Sequence, residues 1–124
     1  MIKGIGTDLV AIKRIETIYQ RHGERFAEKI LGETELAAFP DASNQVNFLA
    51  KRFAAKEAVT KAFGLGLSQG MRWQDIEMDH HPSGQPKVIL SGQAKQYFDE
   101  INATAIHISL SDDNDMVCAF VVVE

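Results

Sequence analysis

Residues 47–66 read NFLAKRFAAKEAVTKAFGLG, and this stretch decides the fold. Its apolar residues Phe48, Ala55, Val59, Ala62 and Phe63 recur at helical spacing, with no proline between them. Gly64 stands where a helix ends in a left-handed residue, and Gly66 keeps the next backbone open. The charges are not gathered on one face, as they are on an ordinary surface helix. At roughly 100° per residue, Arg52 and Lys56 fall beside the apolar stripe. Glu57 and Lys61 share a separate face with Ala50 and Ala54. Alanines beside a carboxylate and an ammonium let another backbone, or a ligand, come close. Alone, the same pair also fits a solvated i,i+4 ion pair worth a few tenths of a kcal/mol.

Upstream, Ile2 to Val10 (IKGIGTDLV) reads as a first strand. Its alternation puts Gly4, Gly6 and Asp8 on one face, opposite Ile5, Thr7 and Leu9. Glycine within a strand marks close approach by another backbone or a ligand. Asp8 therefore ends a strand beside a bare surface, where it fits either a ligand or the N-terminal cap of the next helix. That helix runs from about Ala11 to His22, with Ile12, Ile15, Ile18 and Tyr19 on one face and Gly23 as its stop. Glu24 to Leu31 continues as a second helical piece. Arg14, Arg21 and Arg25 recur at seven and four residues, so they line one side as a solvated basic face or as a docking surface for an acidic protein. Thr34 to Phe39 makes a short helix ended by Pro40, and Asp41 to Asn47 is a polar loop.

Downstream, Trp73 to Asp79 and Lys87 to Leu90 read as strands joined by the turn-rich loop from His80 to Pro86. A helix follows from Ser91 or Gly92 to about Ile101. Ala105 to Leu110 is a strand that carries His107, and Asp112 to Asp115 is a tight turn. Met116 to Val123 is a nearly continuous apolar strand, which implies cover on both faces, with another subunit as one source of it. The sum is an α+β fold, a mainly antiparallel sheet packed around a long central helix, in a single domain over residues 1–124.

Composition narrows the function classes. Thirteen basic against seventeen acidic residues give a net charge of -4, which argues against general nucleic-acid binding. No apolar run approaches a membrane span, and the N-terminus lacks a signal pattern. Cys118 is the one cysteine, so no internal disulfide forms and a cytoplasmic location is expected. No phosphate-binding loop, dinucleotide fingerprint, nucleophile elbow or paired-cysteine zinc pattern is present. What remains is Asp8, Glu57, Lys61, Arg52, Lys56 and His107. Two carboxylates from distant parts of the chain suit Mg²⁺, which completes its shell with water and phosphate. Lysine and arginine nearby neutralise phosphate oxygens.

The opening IGTDLV with Arg14, then FLAKRFAAKEAVTKAFGLG, WQDIEM, GQPKVILSG and IHISLSDDNDMVCAFVVV, resembles the holo-[acyl-carrier-protein] synthase family of phosphopantetheinyl transferases. The likeness covers essentially the whole chain. It implies a 4′-phosphopantetheinyl transferase-like fold and transfer of the 4′-phosphopantetheine arm of coenzyme A to a serine of apo-acyl carrier protein, in fatty acid biosynthesis. It further implies Mg²⁺ as cofactor and a homotrimer with its sites between subunits. Carried over by position, the resemblance makes Asp8 and Glu57 the metal ligands and Lys61 the group that neutralises the breaking pyrophosphate. Arg52, Lys56, Gly64, Gly66 and Pro86 lie along the coenzyme A path, and His107 lies near the nucleotide. Arg14, Arg21 and Arg25 receive the acidic carrier protein. Asp112 stands where many members carry a histidine.

Two rival readings come from other classes. A non-catalytic module that binds an acidic protein accounts for the arginines but not for the carboxylates or the glycines of the first strand. A Mg²⁺-dependent nucleotide pyrophosphatase accounts for the carboxylates without a protein partner.

Overall fold

The structure is a computed structural model that describes residues 1–124. Its centre is helix α4, Gln45–Phe63, which starts three residues before the expected Phe48. The side chain of Asn44 accepts a hydrogen bond from the Asn47 backbone N–H at 3.0 Å. This cap turns the end of a polar loop into the first helical turn. The helix ends at Gly64, whose φ of 77° is the left-handed conformation its position called for. Eleven of its residues are buried, on every side, including Arg52, Lys56 and Thr60. An all-round buried helix has no single apolar stripe, because separate elements cover its separate faces.

Strand β1 (Gly4–Ala11) leads into α1 (Ile12–His22), α2 (Glu24–Ile30) and α3 (Glu33–Ala38). After α4 come β2 (Ile76–His80), β3 (Pro86–Leu90), α5 (Gly92–Glu100), β4 (Ile106–Asp113) and β5 (Met116–Val123). The strands form two antiparallel sheets rather than one. The larger has the order β1-β5-β4, and the smaller is the β2-β3 hairpin.

Face assignment in β1 follows the expected alternation. Gly4, Gly6, Asp8 and Val10 turn toward α4, while Ile5, Thr7 and Leu9 are exposed. A Cβ on Gly6 would collide with the backbone of Ala58, and one on Gly4 with that of Ala62. The two glycines therefore let strand and helix touch backbone to backbone. The small residues that receive them are Ala58 and Ala62, about two turns beyond the Ala50 and Ala54 singled out by helical spacing.

Other boundaries move for local reasons. β1 continues past Asp8 to Ala11, and Ala11 occupies the N-cap of α1, so Asp8 caps no helix. Pro40 does not end the short helix but enters a 3₁₀ turn, Phe39–Asp41. Trp73–Asp75 is likewise a 3₁₀ turn, and the strand begins only at Ile76. β4 runs on through Asp112 and Asp113, opposite Val117 and Met116, so the turn shrinks to Asn114-Asp115. Along β5 burial alternates: Val117, Ala119, Val121 and Val123 are buried and Phe120 is 46% exposed. Cover on both faces of β5 is thus absent within this chain; the face away from α4 is open.

Candidate active site

β1 and α4 bring together the first two predicted site residues. The Lys61 ammonium donates to Asp8 Oδ1 at 3.0 Å and to the Thr7 carbonyl at 3.0 Å. Asp8 is 14% exposed at its side chain and Lys61 54%, so the pair sits at the mouth of the strand–helix seam. Glu57 lies one turn before Lys61 on α4 and is half-buried. One of its carboxylate oxygens, Oε1, accepts the indole N–H of Trp73 at 2.9 Å. Asp8 and Lys61 thus meet at the seam, and Glu57 stands one helical turn before Lys61.

Lys56, adjacent to Glu57, points the other way. Its side chain is fully buried, and its ammonium donates to Glu35 Oε1 at 2.6 Å, to the Trp73 carbonyl at 3.2 Å and to the Ile76 carbonyl. All three of its donors are used inside the chain. Burial pushes the Lys56 pKa below the usual lysine value, against the opposing pull of Glu35. Glu35 is itself 3% exposed and accepts the backbone N–H groups of Gly32 and Met78 at 3.0 Å each. The structure therefore does not bring Lys56 to an open phosphate path, as the resemblance implied, but into a closed ion pair. Sequence reasoning missed Glu35. Its only local signal is its place three residues after Gly32, in the first turn of α3, where a carboxylate reaches back to a backbone N–H.

Arg52 is intermediate between these two. Its guanidinium lies 3.4 Å from the Phe48 ring centroid, and its Nε is 3.7 Å from Glu35 and lacks a hydrogen-bond partner. Burial lowers its pKa from the usual value. It opens on a depression of about 280 Å³ that also takes in Lys51, Asn44, Asn47 and His80. Pro86 pairs with His80 across the β2-β3 hairpin, which puts it near that depression. Lys51 also answers for Asp112, whose carboxylate lies 3.7 Å from its ammonium. Gly64 caps the C-terminal end of α4, roughly 18 Å along the helix from Arg52 at 1.5 Å per residue, and Gly66 lies just beyond it.

His107 is exposed on β4, on the face of the sheet away from α4, and its Nε2 lies 2.7 Å from Glu124 Oε1. That contact pulls the Glu124 carboxyl below its usual value. One chain does not place His107 beside Asp8 and Glu57, because the sheet lies between them.

The arginines divide in the same manner. Gly23 separates α1 from α2, so the seven- and four-residue spacing does not fall on one helix. Arg14 and Arg25 nevertheless converge on a groove of about 540 Å³, together with His22, Lys29, Ile18, Phe26, Phe53 and Trp73. Arg14 lies 5.8 Å from the Phe53 ring centroid and Lys29 5.9 Å from that of Trp73. Arg21 is exposed outside this groove. An apolar floor rimmed by cations fits an acidic protein with an apolar helix face.

The family model for the 4′-phosphopantetheinyl transferase superfamily matches residues 4–121. The chain belongs to this superfamily. A holo-[acyl-carrier-protein] synthase of Vibrio cholerae serotype O1 is 44% identical over 124 residues, which cover 100% of this chain and 98% of that protein. The crystal structure of the holo-[acyl-carrier-protein] synthase of Neisseria meningitidis is 42% identical, with a TM-score of 0.96, covering 100% of this chain and 99% of that one. The Helicobacter pylori synthase, solved in complex with coenzyme A, is 33% identical with a TM-score of 0.81, covering 97% and 99%. The holo-[acyl-carrier-protein] synthase family expected from the sequence motifs, and the α+β fold expected with it, are therefore those of this transferase.

The donor set fits the metal that the resemblance implies. No three His, Cys, Asp or Glu side chains cluster anywhere in the chain, so there is no all-protein metal cage. Two hard carboxylates at an open seam suit Mg²⁺, which keeps several positions for water and phosphate. No helix is long and apolar enough to cross a membrane.

Proposed function

We propose that this protein transfers the 4′-phosphopantetheine arm of coenzyme A to a serine of apo-acyl carrier protein, giving holo-acyl carrier protein and 3′,5′-ADP for fatty acid biosynthesis in the cytoplasm. The observation that carries the proposal is the Asp8–Lys61 contact at 3.0 Å, beside Glu57, in a chain of this family.

Each residue has a task in the reaction. The serine oxygen attacks the phosphorus nearer the pantetheine arm, the phosphoanhydride bond breaks, and 3′,5′-ADP leaves with the bond's electron pair. Asp8 and Glu57 would hold Mg²⁺, which supplies charge neutralisation for the transferring phosphoryl group when bound. Lys61 is exposed enough to swing from Asp8 to the leaving phosphate and compensate its developing charge. The Glu57 oxygen not bonded to Trp73 takes the serine proton, directly or through a water; Asp8 with a water is the second candidate. Arg52, Gly64, Gly66, Pro86 and His107 line the coenzyme A path. Arg14, Arg21 and Arg25 receive the carrier, with the apolar floor of the groove beneath Arg14 and Arg25.

The active form is a homotrimer with sites between subunits. Ile5, Leu9 and Phe120 are 60%, 63% and 46% exposed on one face of the larger sheet, an apolar surface that asks for a partner. His107 lies on that same face, so it serves the Asp8–Glu57 seam of another subunit rather than its own.

The test is to mix the protein with coenzyme A, Mg²⁺ and an apo-carrier protein, then weigh the carrier. A gain by the mass of the arm supports transfer. Binding without a mass gain favours a non-catalytic module, and 3′,5′-ADP released without a modified carrier favours a pyrophosphatase. Light scattering by an active species of 13.8 kDa would remove the trimer and the shared sites.

A further inference from the structure

Trp73 is the only tryptophan of the chain, and α4 holds it at both ends. Its carbonyl accepts from the buried Lys56 ammonium at 3.2 Å, and its indole N–H donates to Glu57 Oε1 at 2.9 Å. Consecutive residues of one helix thus grip the backbone and the side chain of the same residue. The ring is further fixed against Phe53, with centroids 5.9 Å apart. The turn that carries it is held by the Arg72–Asp75 ion pair at 2.9 Å and by the Ser91 N–H donating to the Asp75 carbonyl at 2.9 Å. No other protein donor reaches the Glu57 carboxylate.

We propose that Trp73 is a positioning residue for Glu57, fixing one carboxylate oxygen so that the other is presented to Mg²⁺ and the attacking serine. The claim rests on the transfer reading above. Glutamate has three side-chain torsions, and a carboxylate left to itself at an open seam samples several orientations. A single indole donor anchored by a buried ion pair selects one of them. The closed network around Glu35 and Lys56 is thereby tied to the open site through one aromatic ring. Outer partners of metal-binding carboxylates act in this way and change affinity or activity without touching substrate. Because Trp73 also lines the groove shared by Arg14 and Arg25, the ring stands where a docked carrier meets the carboxylate.

Trp73→Phe keeps a six-membered ring against Phe53 and removes the donor together with the pyrrole half of the indole. Steady-state assays of wild type and variant should show the Mg²⁺ concentration for half-maximal rate rising about 10-fold, and kcat falling by a similar factor. The KM for carrier should stay within about twofold, since the groove keeps its aromatic floor. A variant with a lower melting temperature but unchanged kcat and Mg²⁺ dependence would make Trp73 a packing residue and overturn the proposal. A second measurement does not need the variant to fold. The emission of the sole tryptophan in wild type, titrated with Mg²⁺ in the presence of 3′,5′-ADP, should shift, and the same titration of Glu57→Ala should leave it flat. Emission unmoved in wild type would also overturn the proposal. If wild type modifies no carrier, the transfer reading falls, and the positioning claim is then decided by the emission titration alone.

Discussion

Lys56 and Glu57 are neighbours on one helix, both charged, and the chain treats them oppositely. Lys56 is sealed among Glu35 and two backbone carbonyls with every donor used. Glu57 is half-buried, keeps one oxygen free of protein donors, and stands one turn from a cation that is 54% exposed. Residue type does not separate them; unspent hydrogen-bonding capacity does. A charged group whose partners all lie inside the chain builds the fold, and one with capacity to spare serves a ligand. Four expected outcomes test this contrast.

The largest effect is expected on the closed side. Lys56→Met keeps the bulk of the side chain and leaves Glu35 buried with Arg52 3.7 Å away as its only nearby cation. Breaking a buried pair in this way costs about 3 kcal/mol or more of stability. Denaturant unfolding measures the loss, and pairing the change with Glu35→Gln should cost less than the sum of the two single changes. A variant as stable as wild type would move Lys56 out of the fold and back toward the ligand.

On the open side, Asp8→Ala and Glu57→Ala should each reduce transfer at least ~100-fold. Their melting temperatures should stay close to that of wild type, because neither residue closes a buried network. Turnover near normal at limiting Mg²⁺ would end the assignment of these carboxylates to the metal.

A smaller effect is expected at the groove. Arg14→Glu with Arg21→Glu should raise the KM for carrier about 10-fold and flatten its salt dependence, since rim charges act on encounter and are screened over ~8 Å at physiological ionic strength. The KM for coenzyme A should hardly move. Separating the two changes adds a finer test: Arg14 lines the groove and Arg21 does not, so Arg14→Glu should account for most of the effect.

The smallest effect concerns the exposed His107–Glu124 contact. His107 lowers the folded-state pKa of Glu124 below its usual 4.5. The stability from this contact is therefore complete above the unfolded value and is lost as pH falls through the folded one. Glu124→Gln should lower a stability–pH curve slightly above the carboxylate range, flatten its acid limb, and merge with wild type at the acid end, as denaturant unfolding at a series of pH values would measure.

Much of this molecule was legible in the order of its residues. Helical spacing and the absence of proline announced α4, and the Gly64 stop announced its end. Alternation announced that Gly4, Gly6 and Asp8 share a face of β1. Those features are local, set by the periods of helix and strand and by what a missing Cβ permits. The motifs around Asp8 and Glu57 carried the family, because residues at an open site are constrained by the ligand as well as by the fold. The tertiary structure alone decided the rest. Lys56 is closed off because Glu35, 21 residues earlier, is carried to it by α3, and no period in the sequence records that meeting. Two sheets replaced one because only burial around α4 decides which strands pair. The bare face of β5, which the apolar run Met116 to Val123 hides, emerged only once Val117, Val121 and Val123 were packed inward and Phe120 was left outside. A residue's neighbours along the chain fix its conformation, whereas its neighbours across the fold fix whether its charge is still available to a ligand.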